Sequence, residues 1–324
     1  MAAPLFIRNS VLLGKVESTY GTDPTPTVAD DAILSTPPNF SVESEVLDRI
    51  VSVGDFSPVQ GVVGKQQINM NFNVEFKSQT EILEGSSSAP LQLDSILRAS
   101  GFAASYTAES GGGADDGYVE YDPISTGQES ATFYYYSGKE VLHKVTGSYC
   151  NWSLEAVAGQ YANLSVDVLG NYVAPTDTTA SAPTYESNIP VAIESIGLSF
   201  GSVTGTVVRN FNIDLNNEIV ERADVNSPNG LKGRRIAGRR PTITFQVEKE
   251  LVATWGIYAA LKAGTTYNTT CTIGTTDGQK IDISIPKLAL QNISESEDAG
   301  IVMLDVEAIC TRTSGNDELS FKFY

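Results

Sequence analysis

Apolar and polar residues alternate with a period of two in two separated stretches of this chain, and the two stretches share one plan. In the first, Ile68, Met70, Phe72, Val74 and Phe76 are interleaved with Asn69, Asn71, Asn73 and Glu75. In the second, Ile243, Phe245 and Val247 are interleaved with Thr242, Thr244, Gln246 and Glu248. Successive side chains of a strand point to opposite faces, so each stretch predicts a strand with one greasy and one wet face. A shorter alternating strand precedes each (Phe40, Val42; Phe211, Ile213), followed by a long polar loop with Ser-Pro (Ser57-Pro58; Ser227-Pro228) and several glycines.

The order of elements continues to agree downstream. Leu93, Ile96 and Leu97 lead to Gly101, and Leu251, Trp255 and Tyr258 lead to Gly264; apolar spacings of three or four with a terminal glycine predict a short helix in each copy. A hairpin follows, with Ser137-Gly138 before Val141, His143 and Val145, and Asp277-Gly278 before Ile281, Ile283 and Ile285. Each copy ends on a strand, Leu164, Val166 and Asp167 or Leu304, Val306 and Glu307. Shared order points to duplication, because unrelated β domains share alternation but need not share sequence of elements. The expectation is an N-terminal arm over 1–39, a first β domain over 40–172, a linker over 173–190 and a second β domain with a C-terminal arm over 191–324.

Several segments fall outside the repeat. Residues 11–34 open apolar and become rich in Thr, Pro and Asp, which reads as an extended arm. Residues 103–118, AASYTAESGGGADDGY, read as a flexible excursion of the first copy. The Thr-, Ala- and Pro-rich 171–190 stretch suits a linker. Phe133 to Tyr136, FYYY, must point to both faces of a strand and reads as an edge or interface strand. Leu319 to Tyr324 alternates enough for a last strand or docking arm.

Composition narrows the partners. The 324 residues carry a net charge of -18, which argues against wrapping nucleic acid or attaching to anionic membranes. Cys150, Cys271 and Cys310 are too few and scattered for a disulfide scaffold or zinc site and read as buried thiols. The opening MAAPLFIRNS lacks a basic stretch before a long apolar core, so synthesis in a cytoplasm without a secretion signal is expected. No run approaches a membrane span.

Lys15-Val16-Glu17-Ser18-Thr19-Tyr20-Gly21-Thr22-Asp23-Pro24, followed by Asp31-Ala32-Ile33-Leu34, resembles the opening of tail tube proteins from long-tailed bacteriophages. Gly233-Arg234-Arg235 and Gly238-Arg239-Arg240-Pro241, leading into a strand, are similar to the loop-to-strand passage of the same family. The resemblance implies a β-sandwich or partial-barrel domain with one short flanking α-helix, and with the internal repeat the expectation is a mainly β chain of two tandem tail-tube-like domains. It also implies rings of six domains stacked into a hollow tube for DNA. Many members carry one domain; with two, three chains would supply a pseudo-sixfold ring. The implied partners are further copies of the chain and the tape-measure, terminator and tail-tip proteins. DNA would pass only as cargo, and the protein would end in the virion tail after synthesis in the host cytoplasm. A ring-forming terminator or tail-tip protein is one alternative; a receptor- or glycan-binding β-sandwich of the tail is another.

Catalysis finds little raw material. The single histidine, His143, lies between Val141 and Val145 with Ile283 as counterpart, a packed imidazole rather than a general base. There is no P-loop, GxSxG, HExxH or EF-hand loop, and Gly111-Gly112-Gly113 before Asp115-Asp116 lacks calcium-ligand spacing. The expectation is a non-enzyme without metal or cofactor. Lys232, Arg234, Arg235, Arg239 and Arg240 crowd the second long loop. They read as an inter-subunit or inter-ring peg, as a solvated loop, or as phosphate contacts. Asn71, Asn73, Glu75, Asp214 and Glu248 are the candidate lumen face, where amides and carboxylates would repel or weakly hydrate phosphates; an outer solvated face is the alternative.

Overall fold

The computed structural model describes residues 4–79, 91–107, 117–194, 197–200, 205–227, 230–275 and 279–324. Strands dominate, and they occur in chain order as two comparable series. The first half contains β1 (Val11–Val16), β2 (Ala32–Ile33), β3 (Asn39–Leu47), β4 (Val62–Glu75), α1 (Asp94–Ala99), β5 (Phe102–Thr107), β6 (Tyr118–Pro123), β7 (Ala131–Ser137), β8 (Val141–Val157), β9 (Asn163–Tyr172) and β10 (Thr176–Asp177). The second contains β11 (Ser199–Phe200), β12 (Val208–Asp214), β13 (Asn217–Ala223), β14 (Leu231–Arg239), β15 (Thr242–Glu248), α2 (Ile257–Ala263), β16 (Thr266–Ile273), β17 (Ile281–Asp298), β18 (Ile301–Cys310) and β19 (Ser320–Phe323).

All the pairings between named strands are antiparallel, and their order repeats. In the first half the order is β3-β4-β9-β8, and in the second it is β12-β15-β18-β17. Phe72 opposes Val166 as Phe245 opposes Val306, and Val74 opposes Leu164 as Val247 opposes Leu304. The two sheets are joined edge to edge. The last turns of β8 pair with β12 through Ser153↔Asp214, Leu154↔Ile213, Glu155↔Asn212 and Ala156↔Phe211. This joint satisfies two rows of backbone groups that would otherwise need water.

β8 and β17 are long because each serves two sheets. The start of β8 turns to pair with β7 and β10, and the start of β17 pairs with β16 and β19. Beyond β7 lie β1 and β2; beyond β16 lies β11. Apolar faces of these layers and of α1 enclose one core, in which Ile68, Met70, Ile96, Leu97, Phe133 and Leu154 have no exposure. The mainly β architecture with one short helix per half agrees with the sequence reading.

Four sequence expectations are corrected. First, the N-terminal segment is no free arm over Val11–Val16: β1 pairs along its length with β7, and Leu12 and Leu13 are buried. Second, Phe133 to Tyr136 is no edge. β7 lies between β1 and β8, and all four rings are buried, because Val28, Ala180 and Tyr185 cover the face that carries Tyr134 and Tyr136. Third, residues 103–118 are not wholly an excursion. Residues 102–107 and 118–123 form the β5–β6 hairpin, while the glycines and Asp115-Asp116 lie outside the described residues. Fourth, the second helix starts at Ile257, not at Leu251, which is exposed. Trp255 is buried just ahead of it, stacked on Phe200. Gly264 does end this helix, in the left-handed conformation that glycine adopts without cost.

The C-terminal stretch is a docked strand. β19 lies between β17 and β6, with Phe321 and Phe323 fully buried against Phe76, and so ties the β5–β6 hairpin to the second half.

Candidate functional site

Two features stand out: a polar sheet face, and a seam along which the second half clasps the first. The sheet face follows from strict alternation. Every second residue of β4, β9, β8, β12, β15 and β18 enters the core, so the intervening ones share the opposite face. One cross-strand row runs Glu75, Asn163, Glu155, Asn212, Thr244, Glu307 and Asn292. A second runs Asn73, Ser165, Ser153, Asp214 and Thr242. Asn71 opposes Asp167, and Glu248 lies at the end of β15. Thus Asn71, Asn73, Glu75, Asp214 and Glu248, drawn from three strands, occupy one side of a continuous sheet. Carboxylates, amides and hydroxyls fill these rows, with no lysine or arginine among them.

The basic cluster behaves otherwise. Lys232, Arg234, Arg235 and Arg239 are not in a loop; they line β14, which pairs with β13 as a separate two-stranded sheet, and Arg240 lies just past its end. Arg234 is buried: one guanidinium nitrogen donates to the Asn171 side-chain oxygen at 2.8 Å and another to Gln67 at 3.0 Å, with Glu221 at 3.5 Å. Arg239 pairs with Glu318 and donates to the Ile124 carbonyl at 2.6 Å and to Asn316 at 2.8 Å. These two arginines are committed within the chain, a correction to their reading as pegs for a neighbouring copy. Lys232, Arg235 and Arg240 remain exposed.

The β13–β14 hairpin therefore lies on the first half. Asn217 holds its root, donating to the carbonyls of Ser100 and Cys150 at 2.8 and 3.1 Å. Farther out, the Arg234 amide donates to the Tyr20 hydroxyl at 2.8 Å. Tyr20 belongs to the opening motif, and two glycines make room for it. A Cβ at Gly233 would come within 2.4 Å of the Tyr20 ring, and one at Gly147 within 2.8 Å. Gly147 also has φ +57, where a side chain is strained. Between the hairpin and the first half lies a cavity of about 490 Å³, lined by Glu17, Tyr20, Glu129, Arg222, Lys232 and Arg235 among others.

Glu17 anchors the motif from beneath. Its buried carboxylate accepts bonds from the Gly21 amide at 2.6 Å, the Gly147 amide at 2.7 Å, and the hydroxyls of Ser130 and Thr132 at 2.6 and 2.5 Å. Four donors replace the water that a buried carboxylate loses. Asp23 accepts from Lys144 at 2.8 Å and from Tyr134. Partial burial opposes its charge, but those hydrogen bonds outweigh it and hold its pKa below the usual carboxylate value. Sequence reasoning placed Glu17 and Tyr20 in a motif but assigned them no role. Nothing local showed that Tyr20 meets Gly147 and Gly233.

His143 packs tilted against Phe40 at 4.5 Å and stacks on Tyr135 at 5.9 Å, and burial lowers its pKa. The three cysteines are buried and free, as read from sequence; burial raises all three thiols, Cys271 and Cys310 to about 12. Among the described residues no group of three or more metal-ligating side chains occurs, and no helix is long and apolar enough to cross a membrane.

A mainly β chain with a largely polar sheet face, joined halves and open sheet edges has the features of a structural protein of assemblies. The family model described as phage tail tube protein matches residues 7–310, nearly the whole chain, and this chain belongs to that family. A comparison with curated proteins finds no match. The role that follows is structural: a component of the virion tail that associates with copies of itself and with other tail components.

Proposed function

We propose that each half is one tube domain and that three chains close a pseudo-sixfold ring, with rings stacking into the conduit through which DNA leaves. The observation that carries this reading is the eight-stranded run β3-β4-β9-β8-β12-β15-β18-β17, which is already joined once between halves and, among the described residues, has no further strand beside β3 or beside β17 beyond Leu290. A heterologous contact between two different edges generates a ring when the rotation closes. Three copies supply about 24 strands, and at about 4.8 Å per strand the wall has a circumference of roughly 115 Å, hence a diameter near 37 Å before tilt. That leaves an aqueous channel, and the rows of Asn71, Asn73, Glu75, Asp214 and Glu248 face it. Like charge and amides offer DNA no grip, so the duplex slides.

Lys232, Arg235 and Arg240 then serve the contact with a neighbouring copy or ring, opposite the strongly acidic remainder. Electron microscopy of concentrated protein, averaged down the particle axis, tests the ring: three repeats of two similar lobes are expected. Single rings that never stack would favour a terminator or tail-tip role, and persistent monomers a binding module. Lysine at Asn71, Asn73 and Asp214 together is expected to leave tubes intact while slowing DNA passage in particles carrying the variant. Undiminished passage would remove the lumen assignment.

A further inference from the structure

The joint inside the chain specifies the joint between chains. Leu164 and Leu304 hold equivalent places, as do Val168 and Ala308, so pairing partners can be transferred from one half to the other. Leu154 opposes Leu164 and Glu295 opposes Leu304. Ile213 lies opposite Ile243, which faces Ala308; Phe40 lies opposite Met70, which faces Val168. Hence Leu154 corresponds to Glu295, and Ile213 to Phe40. Leu154↔Ile213 is a pair of the joint within the chain. Among the described residues the corresponding edges are unpaired: beyond Leu290, β17 pairs only with β18, and β3 pairs only with β4.

We propose that the end of β17 pairs antiparallel with β3 of a second copy in the register Glu295↔Phe40, Ser294↔Ser41 and Ile293↔Val42. This rests on the ring reading above and deepens it. The side chains supply an independent check, because a slip of one residue would turn every one of them to the wrong face. Phe40 contacts Tyr135 and His143 on the core side, and Glu295 is on the side of α2, where it meets Tyr258 at 2.9 Å. Ser296 contacts Gln246 on the polar face, and Ser41 takes the polar side of β3. In the proposed register polar face meets polar face. Ile293, half-buried, then meets Val42, which is exposed in the single chain.

The two kinds of joint are not equal. Within the chain the Leu215 amide donates to the Trp152 carbonyl and the Ala158 amide to the Arg209 carbonyl, so Phe211 lies in a hydrogen-bonded rung. Its counterpart, immediately ahead of β3, is Pro38, which has no N–H. The joint between chains therefore ends one rung earlier, and a ring has three stronger and three weaker seams in alternation. The distal half of the β3–β4 hairpin, where Val46, Leu47, Val62 and Val63 are exposed, corresponds to β13–β14. It lies on the second half of the next copy as β13–β14 lies on the first half of its own.

Disulfide trapping tests the register. Ser41 and Ser294 are exposed and correspond to Asp214 and Ser153, a non-hydrogen-bonded pair, whose Cα separation of about 4.5 Å falls within disulfide reach. Oxidised S41C/S294C protein is expected to give covalent trimers and nothing larger on non-reducing gels, released by reductant. The slipped pair S41C/E295C, with its thiols on opposite faces, is expected to stay uncrosslinked. Rings seen by microscopy without crosslinks in S41C/S294C, or crosslinks in the slipped pair instead, would overturn the register and leave the ring standing. Protein that stays monomeric, wild type included, would overturn both.

Discussion

Tyr20 shows how a single position holds the two halves together, fitting against Gly147 of the first half and against Gly233 and the Arg234 amide of the second. A methyl at Gly147 would meet Tyr20 at 2.8 Å and Asn171 at 2.6 Å on a backbone at φ +57. Gly147→Ala is expected to cost about 1–3 kcal/mol, read by denaturant unfolding. Because Tyr20 is part of the obstacle, Tyr20→Ala and Gly147→Ala should be non-additive, the double variant losing less than the sum. Asp23 yields a pH prediction. Its folded pKa lies below the unfolded value, so its stabilisation is present above the ordinary carboxylate range and fades as pH falls through the depressed folded pKa. The stability difference between wild type and Asp23→Asn should shrink accordingly as pH is lowered; a constant difference would refute the charge-based account. Burial and raised pKa make Cys150, Cys271 and Cys310 inert, so a thiol reagent near pH 8 should modify the native chain negligibly and the unfolded chain at all three.

At the scale of elements, the short β19 carries weight out of proportion to its four residues. It connects β17 to β6 and buries two phenylalanines completely. Phe321→Ala is expected to cost about 3–5 kcal/mol by transfer and cavity terms. Removing residues 319–324 should release the β5–β6 hairpin as well, seen as fast hydrogen exchange at residues 102–107 and 118–123 with slower exchange retained in β4 and β9. The β13–β14 hairpin illustrates why burial cannot be assigned from charge. Arg234 and Arg235 are neighbours in one motif, yet strand alternation buries the first and exposes the second. Arg234→Met should therefore destabilise the chain, while Arg235→Met leaves its unfolding within about 0.5 kcal/mol of wild type.

At the scale of the molecule, one edge-to-edge joint makes the two halves one continuous sheet, and the proposed ring uses the edge left at each end of it. Charge acts at this scale too. The exposed cations Lys232, Arg235 and Arg240 stand against a net charge of -18, so the contacts proposed for them between copies would be screened by salt. Assembly of wild-type protein should weaken as ionic strength rises, and charge reversal at Arg240 should remove part of that dependence; sedimentation across a salt series reads both. Identical salt profiles would return Arg240 to the solvated surface.

Period-two alternation determined the main strands of each half and which of their faces is apolar, because that pattern is a property of the backbone and needs no neighbour. The residues Ile68 to Phe76 and Ile243 to Val247 were legible as core for this reason, and the buried cysteines and packed His143 followed from composition and register. Tertiary structure decided what covers each face. It placed Tyr134 and Tyr136 in a second core, turned Val11–Val16 from arm to strand, and set Arg234 and Arg239 inside the chain. Those outcomes depend on contacts between residues far apart in sequence, such as Tyr20 with Gly233, which local pattern does not encode. The joint of β8 with β12 belongs to the same class: alternation makes an edge, and only the folded chain decides which edge meets it.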